Sequence, residues 1–269
     1  MPLRNATLPD WLDGLIRENL GAQYGRCQSN MTVIDWPNEN IKTCYLGTYF
    51  PRSYAEAYCI FSDYFDSNRN AFSGKSELAI FDFGCGTGGE LIGVLKAIEE
   101  KLPDVVSVWV DTLDGQPFSL RLCEQIVAQF EQVSRLRVQL HPGCLKIDGL
   151  QDLYDLGAAL LPRYDLIITF KSLNEFVSKQ LFGDRNPYAE VAATLSSKLV
   201  TGGIMCIADV TSFNDVAQRW LTSIMEDGIR NASVRVLSAN DGLRESFTVS
   251  HTLNFCDESK LAWRIFRAN

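Results

Sequence analysis

The ten residues FDFGCGTGGE, Phe81 to Glu90, constrain the fold more than any other stretch of the chain. An apolar run, LAIFDF, leads into a cluster of glycines, and an amphipathic run, ELIGVLKAIEEKL, leaves it. A strand that turns through glycine into a helix is the opening unit of a doubly wound sheet. Glycine lets the backbone approach a ligand closely, and the helix N-terminus that follows attracts negative charge. Gly84, Gly86 and Gly89 satisfy G-x-G-x-x-G, the dinucleotide fingerprint. A triphosphate-binding loop is excluded, because no Gly-Lys-Ser/Thr closes the motif. Asp82 stands two residues before the first glycine. A carboxylate there suits a bound cation better than a pyrophosphate.

The pattern downstream repeats the unit. VVSVWVDTLD, RLRVQLH, YDLIITF and GGIMCIADV read as strands two to five, with the helix PFSLRLCEQIVAQFEQV between the second and third. Strands alternating with helices of this length predict a parallel sheet covered on both faces. The C-terminal runs SFTVSHTLNF and LAWRIFRA flank the polar link CDESK and predict an antiparallel hairpin. The expected fold is therefore α/β, a doubly wound, mostly parallel seven-stranded sheet with a C-terminal antiparallel hairpin and an N-terminal helical cap. Residues 1–75 are expected to form the cap and 76–269 the main domain. Within the cap, Leu8, Trp11, Leu12, Leu15 and Ile16 recur near helical spacing. A second helix starts at Pro51, and its Tyr54, Tyr58, Phe61 and Phe65 share one face, expected to pack on the core.

The formal net charge is −8, with 25 basic against 33 acidic residues. Nucleic acid is not favoured by that balance, since such partners are held by Lys and Arg on phosphates. A neutral or cationic small molecule or a protein partner fits it better. The N-terminus MPLRNATLPDW lacks the pattern of a secretory signal, and no run approaches the ~18 apolar residues of a membrane span. None of the eight cysteines lies in C-x-x-C spacing. No metal site is expected, and buried free thiols in a reducing cytoplasm are.

Asp82, Gly84, Gly86 and Gly88 also spell acid-x-Gly-x-Gly-x-Gly, and here the chain resembles the class I S-adenosylmethionine-dependent methyltransferases over residues 78 to 269. The resemblance implies S-adenosyl-L-methionine as cofactor, held by Asp82, Gly84, Cys85, Gly86, Thr87 and Gly88. It implies an acid at the end of the second strand for the ribose hydroxyls. Asp114, followed by Gly115, is preferred there, with Asp111 in reserve. Backbone groups at Cys144 and Leu145 are expected beside the adenine, and Phe170 beneath the methyl group. Arg52, with Tyr49 and Tyr54, is expected to close over the site. YLGTYFPRSYAEAY and FKSLNEF together are similar to short elements of methyltransferase-like proteins of mitochondrial small-subunit ribosome assembly. The chain lacks the cysteine cluster of those proteins and is acidic, so their function is not carried over.

Methyl transfer needs no universal catalytic residue, so candidates come from position. Lys171, Asn174 and Glu175 follow the fourth strand at the active-site edge, and His251 lies in the late hairpin. The sequence FKSL after strand four lacks the Pro-Pro-aromatic motif of amino methylases. It also lacks the cysteine nucleophile of pyrimidine methylation. The expected activity is in-line methyl transfer to a small molecule or a protein side chain. Two alternatives are a catalytically silent methyltransferase-like binding or assembly protein and an NAD-dependent oxidoreductase.

Overall fold

The computed structural model describes residues 4–24, 42–243, 245–251 and 256–268. The chain enters through β1 (Asn5–Thr7) and α1 (Asp10–Gly14), which runs on as a π-helical turn over Leu15–Asn19. A second π-helical stretch, Lys42–Tyr49, leads directly into α2 (Phe50–Ser67). The alternating region follows as β2 (Glu77–Phe83), α3 (Gly89–Lys101), β3 (Ser107–Asp114), α4 (Pro117–Val133), β4 (Arg137–Cys144), α5 (Leu150–Ala159) and β5 (Tyr164–Phe170). Then come α6 (Leu173–Ser178), α7 (Pro187–Ser196), β6 (Leu199–Val210), a short ribbon of β7 (Phe213–Asn214) with β8 (Arg219–Trp220), and α8 (Leu221–Asn231). The chain ends in β9 (Val234–Asn240), β10 (Phe247–Ser250), β11 (Cys256–Ser259) and β12 (Leu261–Ala268).

Seven strands form the main sheet in the order β4-β3-β2-β5-β6-β12-β9. Only β12 runs against its neighbours, with Leu261 opposite Val210 and Trp263 opposite Asn240. Strand alternation assigns the two faces. Ile80, Leu166 and Ile168 pack with α1 to α4, whereas Phe81, Phe83 and Ile167 pack with α5, α7 and α8. Leu8, Leu12, Ile16 and Phe61 from the N-terminal segment share one packed cluster with Val94 and Ile80.

The aromatic face of α2 is buried as expected: Tyr54, Phe61 and Phe65 are buried, and the half-buried Tyr58 donates its hydroxyl to Glu100 at 2.7 Å. α2 crosses α3 backbone to backbone. A Cβ at Gly93 would stand 2.5 Å from the Tyr54 carbonyl oxygen, and one at Gly89 2.6 Å from that of Phe50. This contact fixes the N-terminal helix over the start of α3, next to the glycine loop.

Two details differ from the sequence reading. The antiparallel hairpin is present but joins β10 to β11, the stretch read as a polar link, and β1 adds to its edge. The seventh strand of the main sheet is instead β9, at the sheet edge beside β12. Among the thiols, Cys59, Cys85, Cys123 and Cys206 are buried and free, and Cys144 is exposed and free. Cys44 departs from the free-thiol expectation, being disulfide-bonded. Cys27 lies outside the described residues. Among the described residues no helix is long and apolar enough to cross a membrane, and no cluster of side chains could hold a metal ion.

Candidate functional site

The strand order reverses between β2 and β5, and the glycine loop leaves β2 at that switch point. Gly84, Gly86 and Gly88 all take positive φ, at 76°, 50° and 82°, a region that side chains with a Cβ rarely adopt. Two of the three are also packed tightly. A Cβ on Gly84 would collide with the Ser172 side chain, and one on Gly88 would come 2.6 Å from Cys123 Sγ. Gly86 differs: a Cβ there would meet nothing within 4 Å. The loop is thus clamped at both ends and faces open space at its centre.

Asp114 closes one side of that space. Its carboxylate accepts hydrogen bonds from the Gly86 N–H and the Gln116 N–H, each at 2.8 Å. Burial raises its pKa, and those two donors work against the rise. Each oxygen keeps a lone pair beyond the one used, so the group can still accept from a ligand hydroxyl. Asp111, the reserve candidate, is otherwise engaged. It accepts from Trp109 Nε1 at 2.9 Å and the Tyr164 hydroxyl at 2.6 Å, and pairs with Arg163.

Asp82 sits beneath the loop, fully buried, and neither carboxylate oxygen has a hydrogen-bond partner. Burial first, then the nearby Glu90, Cys123 and Asp114, holds its pKa well above the usual carboxylate range. A buried carboxyl without a donor is costly, and a bound cation would relieve the cost. Cys85 is fully buried. It hydrogen-bonds with Cys123, and that contact, with burial, raises its pKa. Thr87 is buried.

The other expected residues divide into those at this edge and those elsewhere. Phe170 is buried at the end of β5, and Lys171 follows it with φ 58°, unusual for a residue with a Cβ. Lys171 Nζ reaches Glu56 at 2.5 Å and Ser53 Oγ at 3.3 Å, tying β5 to α2. Asn174 is bound to Asp209 through its backbone N–H and its side-chain amide, both at 2.8 Å. Asp209 also accepts the Tyr188 hydroxyl, which makes this a buried structural network. Glu175 is half-exposed and pairs with Lys179 at 2.6 Å. Its charge, with those of Tyr49 and Asp114, adds to burial in raising the pKa of Tyr45. Tyr45 therefore stands near both acids.

Cys144 lies opposite Asp114 in the β3–β4 ladder, and the Leu145 N–H donates to the Asp114 carbonyl at 3.2 Å. A Cβ on Gly115 would touch Lys146 at 3.4 Å. Arg52 is committed to the chain itself, with a two-pronged pair to Asp257 at 2.6 and 2.9 Å. His251 stacks on Tyr24 with ring centroids 3.9 Å apart, and its charged neighbours are Asp13 and Asp257. Burial lowers its pKa. Arg52 and His251 thus belong to one polar group built on β11 and α1, and not to the loop that gathers Asp82, Asp114 and Gly86.

Two buried acids close to the loop were not singled out from the sequence. Glu90, in the first turn of α3, is 5% exposed, and burial raises its pKa to about 8. Glu56 is fully buried in α2 and accepts from Ser259 Oγ at 2.6 Å. Glu56 had a signal: it falls three residues after Ser53 and four before Ile60, on the inward face of the helix. Glu90 had none beyond its place at the end of the glycine motif.

No family model matches the chain, and no curated protein matches it in sequence. Solved structures do. Mitomycin 7-O-methyltransferase is 13% identical over 83% of this chain and 55% of that one, with a TM-score of 0.50. The DszA carbon methyltransferase is 12% identical over 79% of this chain and 53% of that one, at 0.48. A putative RNA methyltransferase from Pyrococcus horikoshii is 9% identical over 97% and 98%, at 0.47. The chain spans about half the length of the first two of these proteins. With its switch-point glycine loop and its single antiparallel strand between β6 and β9, the chain has the fold of the class I S-adenosylmethionine-dependent methyltransferases.

Proposed function

We propose that the protein is an S-adenosylmethionine-dependent methyltransferase whose acceptor is a small molecule or a protein side chain. The observation that carries this reading is Asp82. A fully buried carboxyl with two unpartnered oxygens lies under a glycine loop whose centre, Gly86, is open. An amino acid ammonium is the kind of cation that pairs such a group, and a pyrophosphate is not. The residues present therefore fit the cofactor. Asp82 and the Gly84–Gly88 backbone would hold its amino acid end, and Asp114 its ribose hydroxyls. Cys144, Leu145 and Gly115 border the remaining side. When bound, the cofactor supplies a methyl group on a positively charged sulfur, which is the electrophile of the reaction.

The chain's own work is to orient and to exclude water. Gly84 and Gly88, wedged against Ser172 and Cys123, keep the loop in one shape. α2, fixed on α3, covers the end of β5. Cofactor binding to Asp82→Ala and Asp114→Ala tests the reading. S-adenosylhomocysteine affinity is expected to fall at least tenfold in each, and unchanged affinity in both would remove the site assignment.

A second reading has one observation in its favour. Lys171, Asn174 and Glu175 are all paired with other side chains of the chain, so the residues after β5 present no unengaged base. This suits a methyltransferase-like protein that binds the cofactor and a partner without turnover. Cofactor binding together with a stable complex and no methylated product would favour it.

A further inference from the structure

Glu90 and Glu56 are two buried acids that the cofactor contacts above do not use. Glu90 projects from the first turn of α3, with its own backbone N–H acting on its carboxyl. The charged groups that face it come from every element around the loop: Asp82 on β2, Asp114 at the end of β3, Lys171 after β5 and Glu56 on α2. Four acids thus share this space with one lysine, and that lysine is held 2.5 Å from Glu56. A cluster of acids alone would mean little. Asp82, with both oxygens buried and unpartnered, is an independent sign that positive charge is missing from the space.

Resting on the methyltransferase reading, we propose that Glu90 is a cofactor-binding residue that recognises the charge on the sulfonium. It would make the site prefer the positively charged S-adenosylmethionine over its neutral thioether product. The two ligands share the amino acid and the ribose, so Asp82 and Asp114 serve both alike. They differ by the methyl group and by the positive charge it places on sulfur, and a carboxylate facing that charge favours the sulfonium in a way that depends on the carboxylate's own ionisation. Without ligand, burial and the neighbouring acids keep Glu90 largely protonated near neutral pH. A cation beside it favours the ionised form, so binding the sulfonium releases a proton that binding the thioether does not.

The test is calorimetric binding of S-adenosylmethionine and S-adenosylhomocysteine from pH 6.5 to 9, in wild type and Glu90→Gln. In wild type, the preference for the sulfonium is expected to rise with pH, by up to about tenfold per unit, and to level off above about pH 8. In Glu90→Gln the preference is expected to be flat with pH and lower by about tenfold at pH 9. Its thioether affinity should stay within about twofold of wild type. Proton release in wild type, read from binding heats in two buffers of different ionisation enthalpy, gives the same answer without a variant. Release with the sulfonium and less with the thioether supports the proposal. A wild-type preference that ignores pH, or one that Glu90→Gln retains, overturns it. Failure of both ligands to bind would overturn the methyltransferase reading as well, whereas binding of both without the pH-dependent preference overturns the Glu90 proposal alone, so the two failures are distinguishable.

Discussion

Asp82 and Glu90 are unfavourable residues for the protein without ligand. Both are buried, and burial raises the pKa of each, Glu90 to about 8. A carboxyl whose pKa is higher in the folded state binds its proton more tightly there than in the unfolded chain. Folding stability is then greatest below the unfolded pKa, near 4.5, and is lost as pH rises toward the folded value. Glu90 alone would remove up to about 1.4 kcal/mol per pH unit across that window. Urea denaturation between pH 5 and 8.5 is therefore expected to show falling stability, with a shallower fall in Glu90→Gln. Equal slopes in the two proteins would contradict the burial of a protonated Glu90. Asp82 and the glycines could be read from the sequence, because their spacing is itself the signal. Glu90 could not, since an acid in the first turn of a helix is ordinary. Only the approach of α2 and Lys171 encloses it. The partners of Arg52 and His251 were not legible for the complementary reason. Their partners, Asp257 on β11 and Tyr24 before the second π-helical stretch, are more than a hundred residues away in sequence.

At the level of elements, the contact of α2 with α3 fixes α2 beside the glycine loop. Gly93 makes that contact possible, since a methyl group there would press on the Tyr54 carbonyl and the Tyr58 N–H, which are backbone and cannot swing aside. Gly93→Ala is expected to cost about 1–3 kcal/mol through overpacking. Gly14→Ala is the control. Gly14 ends α1 with helical φ and ψ, and a Cβ there meets nothing within 4 Å. It is expected to be neutral or stabilising by up to about 1 kcal/mol. Chemical denaturation of both variants measures the difference, and equal effects would place the helix contact wrongly. Strands β2, β3, β5 and β6 were legible because each carries a concentrated apolar run between a helix and a turn, and β4 because Leu136, Val138 and Leu140 alternate with polar residues. β9 was not, since VRVLSAN lies at the sheet edge and exposes Arg235, Val236 and Ala239. β10 looked like a sheet strand because its Phe247 and Val249 alternate with polar residues. That pattern serves the small sheet against α2 equally well.

For the whole molecule, the sheet order puts the ends of β2, β3 and β5 side by side, and each brings its own chemistry. β2 delivers Asp82 and the loop, β3 delivers Asp114, and β5 delivers Phe170 and Lys171. The parallel strands and the glycine loop announced this arrangement in the sequence. The position of β12 between β6 and β9 did not, because nothing local tells a last strand which neighbours it will enter. Asp82, Glu90, Asp114 and Glu56 share this edge with Lys171, which favours a cationic ligand over an anionic one. The central claim is that this edge of the sheet binds a sulfonium cofactor and not a dinucleotide. Isothermal titration of the wild-type protein with S-adenosylmethionine, S-adenosylhomocysteine and NAD, at pH 8, tests it most directly. Micromolar binding of the first two and none of NAD is the expected result. NAD binding in preference to both would show that the literal G-x-G-x-x-G reading is right and that Asp82 has been given the wrong partner.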